Sequence, residues 1–98
     1  MPAAVTLEWR PQARADLVAL VAYIAEDNPD AAQALKDEIE AKAGALPTHP
    51  KLYKPGRIKG TREMVVRPNY VVVYREDRKA VTILRVLHAA QQWPPASR

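Results

Sequence analysis

The chain of 98 residues contains no cysteine, no phenylalanine and only three glycines. Without cysteine there is no disulfide, no thiol nucleophile and no zinc site built on thiolates. His49 and His88 are the only imidazoles, so we expect no bound metal and no other cofactor. The only serine is Ser97, which leaves a serine-based triad without a nucleophile in the fold. The isolated glycines exclude a phosphate-cradling loop.

Long hydrophobic runs are also missing. No stretch approaches the roughly 18 apolar residues of a membrane span, and the first residues lack the basic and apolar regions of a secretory signal. We therefore expect a cytoplasmic protein without a membrane partner. The length corresponds to one domain over residues 1–98, which excludes a two-domain enzyme with a separate cofactor-binding half.

The modest net charge of +4 conceals an uneven distribution. Residues 1–48 carry four basic and eight acidic side chains, a net of −4. Residues 49–98 carry eleven basic and three acidic side chains, a net of +8. This asymmetry favours a polyanionic partner, which is either nucleic acid or an acidic protein. The alternative is a positive field that only keeps the protein soluble.

Periodicity predicts a short strand followed by two helices. Apolar and polar residues alternate over residues 5–9, which predicts the strand. Apolar residues at i, i+3, i+4 and i+7 predict a helix over residues 11–26. Asn28 can cap a second helix that begins at Pro29 and ends before Pro47. The link between the helices is so short that they must form an antiparallel hairpin.

Three further strands are expected after a basic, turn-rich loop over residues 47–60. They lie at residues 62–66, 70–75 and 81–87, and the short turns between them predict antiparallel pairing. The run Tyr70–Tyr74 is typical of a central strand buried on both faces. The order β-α-α-β-β-β therefore predicts an α+β fold, in which an antiparallel sheet packs against an N-terminal antiparallel helical hairpin.

Only the basic second half offers catalytic chemistry. Metal-independent RNA cleavage needs a base for the 2′-hydroxyl, cations for the phosphorane charge and an acid for the leaving oxygen. His88 and Tyr70 could supply the acid and base, with Arg62 and Arg85 as the cations. Each residue also has a structural interpretation. His88 would cap or pack at a strand end, Arg85 would pair with a carboxylate such as Glu63, and Tyr70 would pack in the core.

Six short motifs follow one another at a defined spacing. They are Ala13-x-x-Asp16-Leu17, Tyr23-Ile24, Asn28-Pro29-x-Ala31-Ala32, Gly60-Thr61-Arg62-Glu63, Tyr70-Val71-Val72-Val73-Tyr74 and Leu84-Arg85-Val86-Leu87-His88. Together they resemble the RelE/ParE superfamily, the toxins of bacterial type II toxin–antitoxin modules. The resemblance covers residues 5–93, and the fold it implies is the β-α-α-β-β-β sandwich.

The resemblance implies one of two activities. RelE-like members are metal-independent endoribonucleases that cleave ribosome-bound mRNA, whereas ParE-like members inhibit DNA gyrase. The nucleases generally carry an arginine where this chain has Tyr70, and a cation–tyrosine or histidine–tyrosine pair beyond the last strand, where this chain has only His88. These departures favour a ParE-like toxin that causes growth arrest. A RelE-like mRNA interferase and an inactive toxin fold kept as an interaction module are the alternatives.

The resemblance also implies a cognate antitoxin, together with either a homodimer or a toxin–antitoxin heterotetramer. The antitoxin segment would add to an exposed sheet edge or lie beside the helical hairpin. Candidate antitoxin-binding residues are Leu17, Leu20, Val21, Ile24, Val5 and Leu7. Candidate residues for gyrase, or for the ribosome and mRNA, are Lys51, Lys54, Arg57, Lys59, Arg62 and Arg67.

Overall fold

In the computed structural model, which describes residues 5–91, 93 and 94, both helices begin at a proline. Helix α1 spans Pro11–Ala25 and helix α2 spans Pro29–Ala45. The fixed φ of proline suits the first helical position, where its missing N–H costs nothing. Asn28 caps α2 as predicted, because its Oδ1 accepts a hydrogen bond of 3.0 Å from the backbone N–H of Ala31. The link over residues 26–28 folds the helices back as the predicted hairpin.

Helix α2 supplies most of the helical contribution to the core. Its predicted apolar stripe is at most 2% exposed at every position. The stripe consists of Ala32, Leu35, Ile39, Ala43 and Leu46. All of these except Ala32 pack with the inward side chains of the sheet into one cluster.

The sheet has four strands in the order β1-β4-β3-β2. The strands β2, β3 and β4 pair antiparallel, as their short turns predicted. Strand β1 instead pairs parallel with β4, so the sheet is mixed and the expectation of an antiparallel sheet is wrong for this strand. The helical hairpin separates β1 from β2, so no tight turn fixes the direction of β1. The strands are β1 (Thr6–Trp9), β2 (Arg62–Arg67), β3 (Tyr70–Glu76) and β4 (Ala80–His88).

Strand β3 is buried on both faces, as its unbroken apolar run predicted. Val72 and Tyr74 belong to the core beneath the helices. Val71 and Val73 lie on the opposite face, in a smaller cluster that Trp93 packs against. The α+β class and the order of the six elements are therefore confirmed. The helices cover one face of the sheet, and Leu84 and Trp93 pack on the other.

Candidate functional site

Helix α1 leaves much of its apolar surface uncovered. Only Ala13 and Leu17 are buried, whereas Val18 is 69% exposed and Tyr23 is 73% exposed. A groove of about 420 Å³ runs along the side of α1 that carries Val18 and faces Lys36 of α2. We call the exposed surface around Val18 and Tyr23 the α1 face.

A second groove, of about 380 Å³, lies between α1 and the last residues of β4. Leu20 and Tyr23 line its helical side, and Val86 and His88 line its strand side. Strand β1 covers β4 only as far as Ile83. On the side away from β3, the end of β4 therefore has no strand beside it in the described residues, and this groove follows that open edge.

The six candidate antitoxin-binding residues lie mostly beneath this surface. Leu17 is buried, and the other five are partly buried and pack against the core. These five are Leu20, Val21, Ile24, Val5 and Leu7. Leu17 and Val21 also line the groove beside Lys36, and Leu20 lines the groove beside β4. Their role in antitoxin binding stays a prediction. The sequence analysis did not single out Val18 and Tyr23, although α1 visibly carries apolar residues outside the core-facing stripe.

Asp16 joins α1 to the open end of β4. Its Oδ2 accepts hydrogen bonds from Nε of Arg85 at 2.7 Å and from the backbone N–H of Val86 at 3.0 Å. Its Oδ1 accepts from Arg85 at 3.2 Å and from the Gln12 amide at 3.0 Å. Burial opposes ionisation of Asp16, but these hydrogen bonds outweigh it and hold the pKa of the carboxyl below its ordinary value.

Arg85 is paired with a carboxylate, as its structural interpretation predicted, but the partner is Asp16 and not Glu63, the carboxylate given as the example. Glu63 lies on β2 and Arg85 on β4, with β3 between them, so the strands are about 9.6 Å apart. Glu63 instead binds Arg57, accepting from its backbone N–H at 2.8 Å and from its guanidinium at 3.2 Å. Arg85 is half-buried by Asp16 and by Trp93, whose ring centre lies 5.4 Å from the guanidinium carbon.

The two remaining candidate arginines are also paired. Arg62 donates to the carbonyl of Tyr53 at 2.8 Å and lies 3.8 Å from Glu76. Arg67 donates to Glu38 at 2.7 Å, and this hydrogen bond is the main reason that the pKa of Glu38 lies below its ordinary value. Every arginine among the candidate site residues thus has a carboxylate partner.

The structure does not bring the four candidate catalytic residues together. Tyr70 is opposite His88, with ring centres 5.5 Å apart, whereas Arg62 is opposite Tyr74. Tyr70 and Tyr74 are four positions apart on β3, which corresponds to about 13 Å along the strand. Nδ1 of His88 accepts a hydrogen bond of 3.0 Å from the backbone N–H of Ala90. His88 thus caps the turn after β4, as its structural interpretation predicted.

The candidate lysines have a different environment from the arginines. Lys51, Lys54 and Lys59 are all exposed, and none of them makes an ion pair within the described part of the chain. Across residues 5–91, 93 and 94 there is no group of three or more acidic or histidine side chains placed to hold a metal ion. Neither helix in that range is long and apolar enough to cross a membrane.

Comparisons with known proteins agree with this architecture. A family model described as the ParE toxin of the type II toxin–antitoxin system parDE matches residues 7–93. Toxin Y4kP of Sinorhizobium fredii is 43% identical over 89 residues, which are 90% of this chain and 92% of that protein. Toxin RelE2 of Caulobacter vibrioides is 37% identical over 85 residues, which are 85% of this chain and 93% of that protein.

The fold is also that of a solved toxin–antitoxin structure. The chromosomal ParDE system from P. aeruginosa contains a chain that superposes with a TM-score of 0.76 at 22% identity, over 87% of this chain and 96% of that chain. The family match, the two relatives and this shared fold lead to one conclusion. The chain belongs to the ParE toxin family, within the RelE/ParE superfamily of type II toxin–antitoxin toxins.

Proposed function

We propose that this toxin acts as ParE-like members do, by binding DNA gyrase rather than by cleaving RNA, and that a cognate antitoxin neutralises it. The observation that carries this proposal is the separation of Arg62, a candidate cation, from Tyr70 and His88, the candidate acid and base. Arg62 lies about 13 Å along β3 from the pair formed by Tyr70 and His88. A cation that stabilises the phosphorane must lie within reach of the phosphodiester on which the acid and base act.

The ion pairs of the candidate arginines support the same proposal. A phosphorane is stabilised by cations that are preorganised towards it. Arg85 is held by two hydrogen bonds from its guanidinium to Asp16, and Arg62 is shared between a carbonyl and Glu76. Recruiting either guanidinium to RNA would take the charged partner away from Asp16 or Glu76, which costs free energy.

The sheet face opposite the helices offers no polar cleft at its centre. Val71, Val73 and Leu87 are at most 6% exposed there, and Leu84 and Trp93 pack against them. These side chains are already covered within the chain, so the centre of this face offers no polar groups to hold a phosphate backbone.

The α1 face is the proposed antitoxin site. Exposed apolar surface marks interaction sites. Val18 and Tyr23 are two of the four large apolar side chains that stand exposed in the described residues, and they line the two grooves on either side of α1. The P. aeruginosa structure is of a ParDE toxin–antitoxin system. We therefore expect an antitoxin segment to cover Val18 and Tyr23 and to fill the two grooves that flank α1.

Two assays on the purified chain test the target. The expected result is inhibition of DNA supercoiling by gyrase, with ribosome-bound mRNA left intact. The double variant H88Q/Y70F should inhibit gyrase as well as the wild type does, because neither side chain has a catalytic role. Cleavage of mRNA at the ribosomal A site by the wild type, and its loss in H88Q/Y70F, would overturn the proposal.

A ribosome-dependent mRNA interferase is the second candidate function. It is favoured by one observation, the exposed His88 ring set edge-on to Tyr70 at 5.5 Å. Toxin RelE2, one of the relatives above, also carries the name of the nuclease branch. Expression of the chain in a bacterial host separates the two functions, since gyrase inhibition gives filaments with a DNA damage response and mRNA cleavage gives translational arrest.

A further inference from the structure

Five basic side chains stand exposed at one end of the sheet without a carboxylate partner in the described residues. We call them the cationic end. Two come from the loop before β2, one from the last part of β3 and two from the turn between β3 and β4. They are Lys54, Lys59, Arg75, Arg78 and Lys79.

The topology places these five residues at the same end. Glu63 donates its N–H to the carbonyl of Lys54, and the turn carrying Lys59 leads directly into the start of β2. The start of β2 lies beside the end of β3, because Arg62 is opposite Tyr74. The turn that carries Arg78 and Lys79 follows immediately on β3.

The acidic side chains at this end do not cancel the charge. Asp77 accepts hydrogen bonds from the backbone N–H groups of Lys79 and Ala80, at 2.7 Å and 2.9 Å. Glu76 is paired with Arg62. Glu8 of β1 lies level with Arg75, because both are opposite Thr82 of β4. Five cations against the carboxylates of Asp77 and Glu8 therefore leave a net of three positive charges on this surface.

We propose that the cationic end binds the phosphate backbone of double-stranded DNA, without reading its sequence. Lysine is depleted at the centres of protein–protein interfaces, which need aromatic or aliphatic side chains. Its exposed members are all long, flexible cations, so an acidic protein is the poorer partner. Single-stranded RNA or DNA binds on aromatic side chains that stack with bases. The two tyrosines adjacent to these cations in sequence are not free for stacking, since Tyr74 is fully buried and Tyr53 packs against the core. A duplex backbone needs only cations.

Fluorescence anisotropy with the full chain and a labelled 20-base-pair duplex tests the proposal in the absence of gyrase. The triple variant K59Q/R78Q/K79Q removes three exposed cations from the proposed surface. The triple variant R10Q/R14Q/K36Q removes the same charge from the helical side of the molecule. Between 0.05 M and 0.2 M salt we expect the wild type to lose roughly 40-fold more affinity than K59Q/R78Q/K79Q does, since each phosphate contact contributes a slope of about 0.9 in log–log salt dependence.

The expected pattern is tight wild-type binding that weakens with salt, a flatter salt dependence in K59Q/R78Q/K79Q and near wild-type binding by R10Q/R14Q/K36Q. Equal losses in the two variants would overturn the proposal, because net charge and not the surface would then set the affinity. Tighter binding of single-stranded RNA, or of polyglutamate, than of the duplex would also overturn it. Thermal melting of each variant confirms that it is folded. DNA binding and gyrase inhibition are separate measurements, so either can fail without the other.

Discussion

The carboxylate of Asp16 and the guanidinium of Arg85, 69 residues apart in sequence, are joined by two hydrogen bonds of 2.7 and 3.2 Å. The same carboxylate accepts the backbone N–H of Val86, at the part of β4 that β1 does not cover. Asp16 therefore takes the place of a neighbouring strand at this position. One side chain connects the helical layer to the open edge of the sheet.

Replacing Asp16 by alanine should lower the free energy of unfolding by about 2 kcal/mol, because Arg85 and the N–H of Val86 lose their acceptor. For a domain of this size that corresponds to a fall in Tm of roughly 10 °C. D37A is the matched control, since Asp37 lies on the exposed side of α2 and accepts only from Gln33. A D16A variant as stable as D37A in thermal melting would contradict the expectation.

Stability should also depend on pH through Asp16. Its folded pKa lies below its unfolded value of about 3.9. The ionised form thus stabilises the fold at pH values above about 4, and this contribution is lost as the pH falls through the folded pKa. Chemical denaturation between pH 7 and pH 2.5 should show a smaller loss in D16N than in the wild type. If the free energy of unfolding fell equally with pH in D16N and in the wild type, other carboxylates would govern the loss of stability in acid.

Tyr74→Phe should destabilise the loop that follows α2. The hydroxyl of Tyr74 is buried and donates to the carbonyl of Pro50 at 2.7 Å. Its loss leaves that carbonyl without this donor, at a cost of about 1–2 kcal/mol. Hydrogen exchange in residues 47–53 should become faster than in the wild type. Y23F is the control, because the Tyr23 ring is largely exposed, and exchange there should not change.

Two glycines should respond oppositely to alanine. A Cβ at Gly56 would lie 2.5 Å from Oγ1 of Thr61 and 3.2 Å from the carboxylate of Glu63. G56A should therefore be destabilising and should disturb the pairing of Glu63 with Arg57. A Cβ at Gly44, within α2, meets no atom within 4 Å, so G44A should stabilise the protein by about 0.5–1 kcal/mol. Urea denaturation should show a lower free energy of unfolding for G56A and a higher one for G44A than for the wild type.

The antitoxin site can be tested by changing the α1 face alone. V18D places a charge where we expect an apolar contact, and V65D places one at another exposed valine, on β2. We expect V18D to lose antitoxin binding at least tenfold while its gyrase inhibition is retained. V65D should bind the antitoxin as the wild type does. Calorimetric titration of each variant with the antitoxin measures the difference.

Local sequence patterns predicted the elements well because the physics that sets them is local. Pro11, Asn28 and Pro29 define helix starts through their own backbone and side-chain chemistry. The alternation of Val72 and Tyr74 with Val71 and Val73 is a property of one strand. The parallel pairing of β1 and the Asp16–Arg85 pair depend on residues far apart in the chain. No periodicity within an element carries that information.

The candidate site was harder to predict for a related reason. A basic residue in a sequence shows its charge but not whether a carboxylate lies beside it in the fold. Arg57, Arg62, Arg67 and Arg85 are paired, whereas Lys54 and Lys59 are exposed in the same half of the chain. Counting charges therefore located the basic half correctly, but it overstated the number of basic side chains that are free to bind a partner.

The parallel pairing of β1 with β4 places residue 6 beside residue 80. β4 is the last of the four strands to leave the ribosome, so the nascent chain cannot close this sheet until residue 88 has been made. Contacts between such distant residues also slow folding, because the loop between them must be ordered first. Both helices of the hairpin are therefore synthesised well before the sheet on which they pack is complete.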